Sequence, residues 1–128
     1  MRLSESVPSD ELGGVVDALI ASSFDSIMVT GAGEGLPIVF VNEAFTELTG
    51  YTAEDVLGKS PDLLQGPDTE REVLDRLQAD LAAGRVFEGE TTNYGKGGEP
   101  FTMYWRVAGI AGKPSESRYL IAVQRREI

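Results

Sequence analysis

The sequence predicts an α+β domain: a five-stranded antiparallel sheet with short helices on one face and a flanking helix at the N-terminus. Three observations lead there. Two short β-type runs open the chain after residue 24 and three longer alternating runs close it. Between them, cap-and-stop signals repeat every few residues from Asn42 to Gly84. At 128 residues, the chain has the size of one domain with one core. The expected division is residues 1–22 as the flanking helix and 23–128 as the domain proper.

"SDELGGVVDALIASS" places Leu12, Val15, Val16, Leu19 and Ile20 at helical spacing, with Ser9 or Asp10 as cap and Gly13 and Gly14 as weak points. "DSIMVT" and "PIVFV" read as strands joined by "GAGEGL". That loop is not a dinucleotide fingerprint, because Leu36 replaces the last glycine and Pro37 opens a strand rather than a helix. It reads as a hairpin connection. "NEAFTELTG" runs from an Asn42 cap to Gly50 and is expected to bury Phe45 and Leu48; "TAEDVLG" repeats the pattern from Thr52 to Gly58. Pro61 suits a helix start, where its missing N–H costs nothing. Thr69 and Glu72 have capping-box spacing ahead of Val73, Leu74, Leu77 and Leu81, and Gly84 ends that helix. "RVFEGETTNY", "EPFTMYWRVA" and "SRYLIAVQRR" form a meander, with "GKGG" turning the first into the second.

Alternation assigns the two faces of the meander. Phe87, Gly89, Thr91, Asn93, Phe101, Met103, Trp105, Val107, Leu120, Ala122 and Gln124 share the face that the helices cover. Glu88, Glu90, Thr92, Tyr94, Thr102, Tyr104, Tyr119, Ile121 and Val123 share the other. Its tyrosines and β-branched residues call for a cover. The N-terminal helix, from the same chain or a partner's, is the candidate, which leads to the expectation of a homodimer.

Composition narrows the chemistry. Net charge is −10, the opposite of a nucleic-acid footprint. Histidine and cysteine are both absent, which removes disulfides, common zinc sites, histidine-ligated haem and Ser-His-Asp or Cys-His catalysis. No metal and no haem are expected. No stretch has the apolar length of a membrane span, and the first residues lack the apolar core of a secretory signal. A cytoplasmic location is the expectation.

"PIVFVNEAFTELTGYTAEDVLGKS" resembles the general pattern of the PAS superfamily, and "LLQGPDT" and "NYGKGGEPF" are similar to words of its light-oxygen-voltage (LOV) flavin sensors. The likeness runs from Ser26 to Arg125, and "VQRREI" resembles the place where such modules pass into a signalling helix and an effector downstream. The resemblance implies a PAS-like fold and a pocket for FMN or FAD, although the ligand itself stays unknown. Where LOV sensors carry Asn-Cys-Arg, this chain has Ser60-Pro61-Asp62, so the thiol that adds to the flavin after blue light is missing. If a flavin binds, the resemblance assigns Asn93 and Gln124 to the ring, Gln65 to the ribityl chain and Thr30 to the pocket wall. A further ring-binding amide is replaced by Met103, and the two phosphate-binding arginines fall at Asp62 and Gln78. Turning attraction to repulsion at Asp62 is worth about 3 kcal/mol at roughly 5 Å and an effective dielectric of about 20, less once screened. Lys59, Arg71 and Arg76 are the nearby cations.

Each of these residues also has a structural use. Gln65 can close a loop, Asn93 and Gln124 can bond each other, a buried water or the backbone, and Trp105 and Met103 fit a core. Two functions follow: a PAS-type sensory and dimerisation module of a signalling protein that is not an enzyme, or a non-covalent flavin sensor of redox state or light. A small acid/base enzyme ranks last, since no carboxylate pair has suitable spacing.

Overall fold

The computed structural model describes residues 1–110 and 118–127. Its elements are α1 (Leu3–Ser6), α2 (Ser9–Ala21), β1 (Ser26–Gly31), β2 (Ile38–Val41), α3 (Glu43–Thr49), α4 (Ala53–Val56), a 3₁₀ turn (Pro61–Leu64), α5 (Arg71–Ala82), β3 (Phe87–Tyr94), β4 (Pro100–Gly109) and β5 (Tyr119–Arg126). Ser117, expected to start the last strand, and the terminal Ile128 lie outside the described residues. The sheet is antiparallel in the order β2-β1-β5-β4-β3, so the last strand lies in the middle, beside the first.

The local signals act as their chemistry requires. Asn42 caps α3 by accepting from Phe45 N–H, and Gly50 ends it in the left-handed conformation at φ 81°. Thr52 and Asp55 form a reciprocal capping box on α4. Asp55 also meets Lys96 of the β3–β4 turn at 2.9 Å, which ties that hairpin to α4. Helix α5 departs from expectation at its start. Thr69 makes no capping box; its hydroxyl donates to Thr92 O at 2.6 Å and accepts from Gly66 N–H, so the helix begins at Arg71 without a side-chain cap. A hydroxyl that reaches a buried strand carbonyl serves the tertiary fold at the expense of its own helix. Similarly, α2 follows Pro8 with neither Ser9 nor Asp10 as cap, and Leu48 is half-buried while Thr49 is buried in its place.

The alternation of the meander is realised in full. Phe87, Phe101, Met103, Trp105, Val107, Leu120 and Ala122 join Met28, Ile38, Phe45, Val56 and Leu64 in the core. Asn42 holds the entry to that core. Its Oδ1 accepts from Ile27 N–H at 2.9 Å and Phe45 N–H at 3.1 Å, while Nδ2 donates to Ile20 O and Asp25 O. One side chain thus joins the end of α2, the start of β1 and the first turn of α3.

Two outcomes test this account. Asn42→Ala removes four hydrogen bonds, while Ser23 still meets the Ile20 and Asp25 carbonyls and the residue 42 carbonyl still meets Phe45 N–H, and it is expected to cost about 2 kcal/mol in urea unfolding. The Asp55 carboxyl is held down to about 2 by hydrogen bonds from the Thr52 backbone and Lys96. With its folded value below the ordinary 3.8, its stabilisation is full above that value and is lost as pH falls towards 2. The urea-midpoint gap between wild type and Asp55→Asn should therefore be widest above about pH 5 and close on acidification.

Candidate functional site

Four inward rows cross the sheet beneath α5 and the 3₁₀ turn. Strand register places Ser26, Gln124, Trp105 and Gly89 in one row and Met28, Ala122, Val107 and Phe87 in the next. Thr30 and Leu120 head a third row on one side, and Met103 and Thr91 lie in a fourth on the other. The interior between these rows and the helices holds two adjoining hollows. One, of about 80 Å³, is bounded by Thr30, Leu36, Leu81 and Leu120; the other, of about 70 Å³, by Leu64, Gln65, Asn93, Met103 and Gln124. Met28, Pro61, Leu77 and Trp105 wall both.

Trp105 is the largest of these shared walls. A glycine at position 89 leaves its neighbour's ring room, and Phe87 packs against the indole with centroids 4.9 Å apart and planes at 55°. Arg76 closes the outside of this stack. Its guanidinium lies 4.8 Å from the Phe87 ring centroid and donates to Glu88 O at 2.8 Å. A Cβ on Gly89 would stand 2.6 Å from that guanidinium and 2.7 Å from the Phe87 ring. Larger residues at position 89 are therefore incompatible with the clamp.

The structure brings three of the four sequence-assigned residues to one hollow and puts the fourth on its neighbour. Asn93 and Gln124 are buried; Asn93 Nδ2 contacts Met103 Sδ at 3.4 Å, and Gln124 Oε1 accepts from Ser26 Oγ at 2.8 Å. Gln65 is exposed at the rim and donates to Asp62 Oδ1 at 3.1 Å. Thr30 is 4% exposed, and its hydroxyl is buried without a hydrogen-bond partner. An orphaned hydroxyl costs about 1–3 kcal/mol, so Thr30 is the polar atom of this interior that most needs an explanation. Sequence reasoning treated Pro61 as a helix start and Trp105 as core, and both also shape the hollows. The signal for Trp105 was available: the largest inward side chain stands opposite the glycine of the same sheet row.

With the side chains as they stand, the two hollows are much smaller than a flavin needs. Sites for molecules of that class measure about 300–1,000 Å³, several times the hollows present. Asn93 Nδ2 and Gln124 Oε1 are engaged on Met103 and Ser26. Of the nearby cations, Arg76 is engaged on Phe87, while Lys59 and Arg71 are exposed. Among the described residues no group of three or more acidic side chains is placed to hold a metal. Trp105→Leu is expected to merge the two hollows and cost about 2 kcal/mol in urea unfolding, checked by a crystal structure and denaturation of the variant.

Known proteins agree with this architecture. The sequence profile of the PAS domain family matches residues 25–125. A blue-light-activated histidine kinase of Brucella anthropi is 35% identical over 88 residues, covering 69% of this chain and 18% of that protein. Blue-light-activated histidine kinase 1 of Erythrobacter litoralis is 38% identical over 88 residues, covering 69% of this chain and 24% of that protein. The chain thus spans about a quarter or less of these relatives. The solved LOV domain of an Erythrobacter litoralis blue-light-activated histidine kinase superposes with a TM-score of 0.74 at 25% identity, covering 80% of this chain and 94% of that one. An RNA-binding light-oxygen-voltage receptor shares the fold with a TM-score of 0.86 at 22% identity, covering 98% of this chain and 36% of that one. With its five-stranded sheet, its helix-covered inner face and these relatives, the chain belongs to the PAS domain family and is related within it to light-oxygen-voltage sensor domains.

Proposed function

We propose that the chain is a PAS-type sensory and dimerisation input module of a cytoplasmic signalling protein, unable to form a cysteinyl-flavin adduct. Its residues 1–22 act as a flanking helix and 23–128 as the sensory domain, which biases an effector rather than catalysing a reaction. The observation that carries this reading is an apolar outer sheet face that the chain's own helices leave uncovered. Phe40, Val29, Ile121 and Ala108 run side by side across four strands, with Ile27 and Val123 as the next row. Tyr119, Ile121 and Val123 are exposed on this face. Helix α2 has no buried residue, and Val16 and Leu19 are exposed. An uncovered apolar helix stripe and an uncovered apolar sheet face within one chain fit a second copy better than they fit water.

The absence of adduct chemistry rests on the sequence, which contains no cysteine. By the sequence resemblance Pro61 stands where light-oxygen-voltage sensors carry the thiol, and a proline offers no nucleophile. The flavin alternative keeps one supporting observation, the convergence of Asn93, Gln124 and Gln65 on one hollow. The small volume speaks against it. Nucleic acid is not among the proposed partners, given the net charge of −10. Among the described residues no helix is long and apolar enough to cross a membrane.

Charge makes the dimer testable. Two copies carrying −10 each repel, so added salt should tighten association through the apolar face. Glu127 hydrogen-bonds Glu90 and repels its charge, holding that carboxyl above its ordinary value on the same face. Sedimentation is expected to show a dimer, stronger in high salt, that the double change Ile121→Glu and Val123→Glu converts to a folded monomer. A wild-type monomer at high concentration would overturn the dimer. The purified protein is expected to stay colourless after addition of FMN, FAD or riboflavin; a yellow, flavin-loaded protein would favour the alternative.

A further inference from the structure

We infer that the hollow under α5 is a binding site for a small apolar molecule bearing one hydroxyl or carbonyl, read by the side chain of Thr30. The inference deepens the sensory reading and rests on it.

Thr30 lies in the middle of the sheet, its backbone paired to Leu120 on one side and Ile38 on the other. Its side chain shares a hollow with Leu36, Leu77, Leu81, Trp105 and Leu120, all apolar. The hydroxyl is buried with no partner. A water molecule is a poor occupant, because buried waters are held by two to four polar groups and here one is unsatisfied. A valine would fill the same shape without the polar atom, so packing alone does not account for a threonine. An organic molecule that meets the hydroxyl with one oxygen and the leucines with carbon satisfies both.

Size fixes the class. The two adjoining hollows, about 80 and about 70 Å³, share the walls Met28, Pro61, Leu77 and Trp105. An engineered apolar cavity of about 150 Å³ takes up benzene. A ligand that meets Thr30 and extends past the shared walls to occupy both hollows therefore has about six non-hydrogen atoms. Nothing charged faces the Thr30 hollow, so the ligand is neutral.

The chain supplies its own reporter, since Trp105 is the only tryptophan and walls both hollows. Titration of the full chain with cyclopentanol, transparent where indole absorbs, is expected to shift Trp105 emission in the millimolar range, and cyclopentane is expected to bind too. Thr30→Val should weaken cyclopentanol about five- to tenfold and leave cyclopentane within about twofold, as removal of one hydrogen bond demands. Thr30→Ser, which keeps the hydroxyl, should retain the preference for the alcohol. Equal effects of Thr30→Val on both probes, or no emission change with either, would overturn the inference. Uptake of FMN with displacement of cyclopentanol would overturn it as well, while leaving the sensory reading intact. The dimer measurement is independent of all these outcomes.

Discussion

The packing of Trp105 against Phe87 governs what this domain can contain. The Phe87 ring and the Arg76 guanidinium lie where a side chain at position 89 would stand, and Gly89, beside Trp105 in the same sheet row, leaves them that space. The Phe87 ring needs a lid, and the Arg76 guanidinium from α5 is that lid. Together these residues draw α5 onto the sheet beside the two adjoining hollows. Pro61 and Trp105 both stand on walls common to the two hollows.

The sheet itself works as a partition. Its inner face is closed by helices and its outer face is open, with the apolar rows on β1 and β5 grading into a charged end. There Arg106 meets Glu88 at 3.1 Å, Arg125 meets Asp25 at 2.7 Å, and the Tyr104 hydroxyl donates to Glu88. These exposed pairs contribute little to stability. Because β5 lies in the middle of the sheet, residues such as Ala122 and Ile121 present opposite walls of the same strand to the cavity and to the outer face. The inner site and the outer surface are thus one strand thickness apart.

Much of this was legible in the sequence because its causes are local. Period-two alternation assigned Trp105, Met103, Asn93 and Gln124 inward and Ile121 and Val123 outward. Asn42, Gly50, Thr52 and Gly58 announced the helix ends through capping and left-handed glycines, at φ 81° and 83° for the two glycines. What escaped depended on distant partners. Thr69 had capping-box spacing, yet the Thr92 carbonyl, 23 residues on, claimed its hydroxyl. Asn42 was read as a cap, while two of its four side-chain bonds reach back to Ile20 and Asp25. The state of the Thr30 hydroxyl and the splitting of the cavity are properties of assembled side chains, so no pattern along the chain encodes them.

The Asn42 junction gives the N-terminal helix the mechanics of an arm on a pivot. Helix α2 has 13 residues, about 20 Å of length, and no buried residue to restrain its far end. Its near end is hydrogen-bonded through Asn42 to the start of β1, the strand that three residues later carries Thr30. A rotation of about 5° at that joint sweeps the free tip by about 2 Å. A small shift at the start of β1 would thus be magnified along the length of α2.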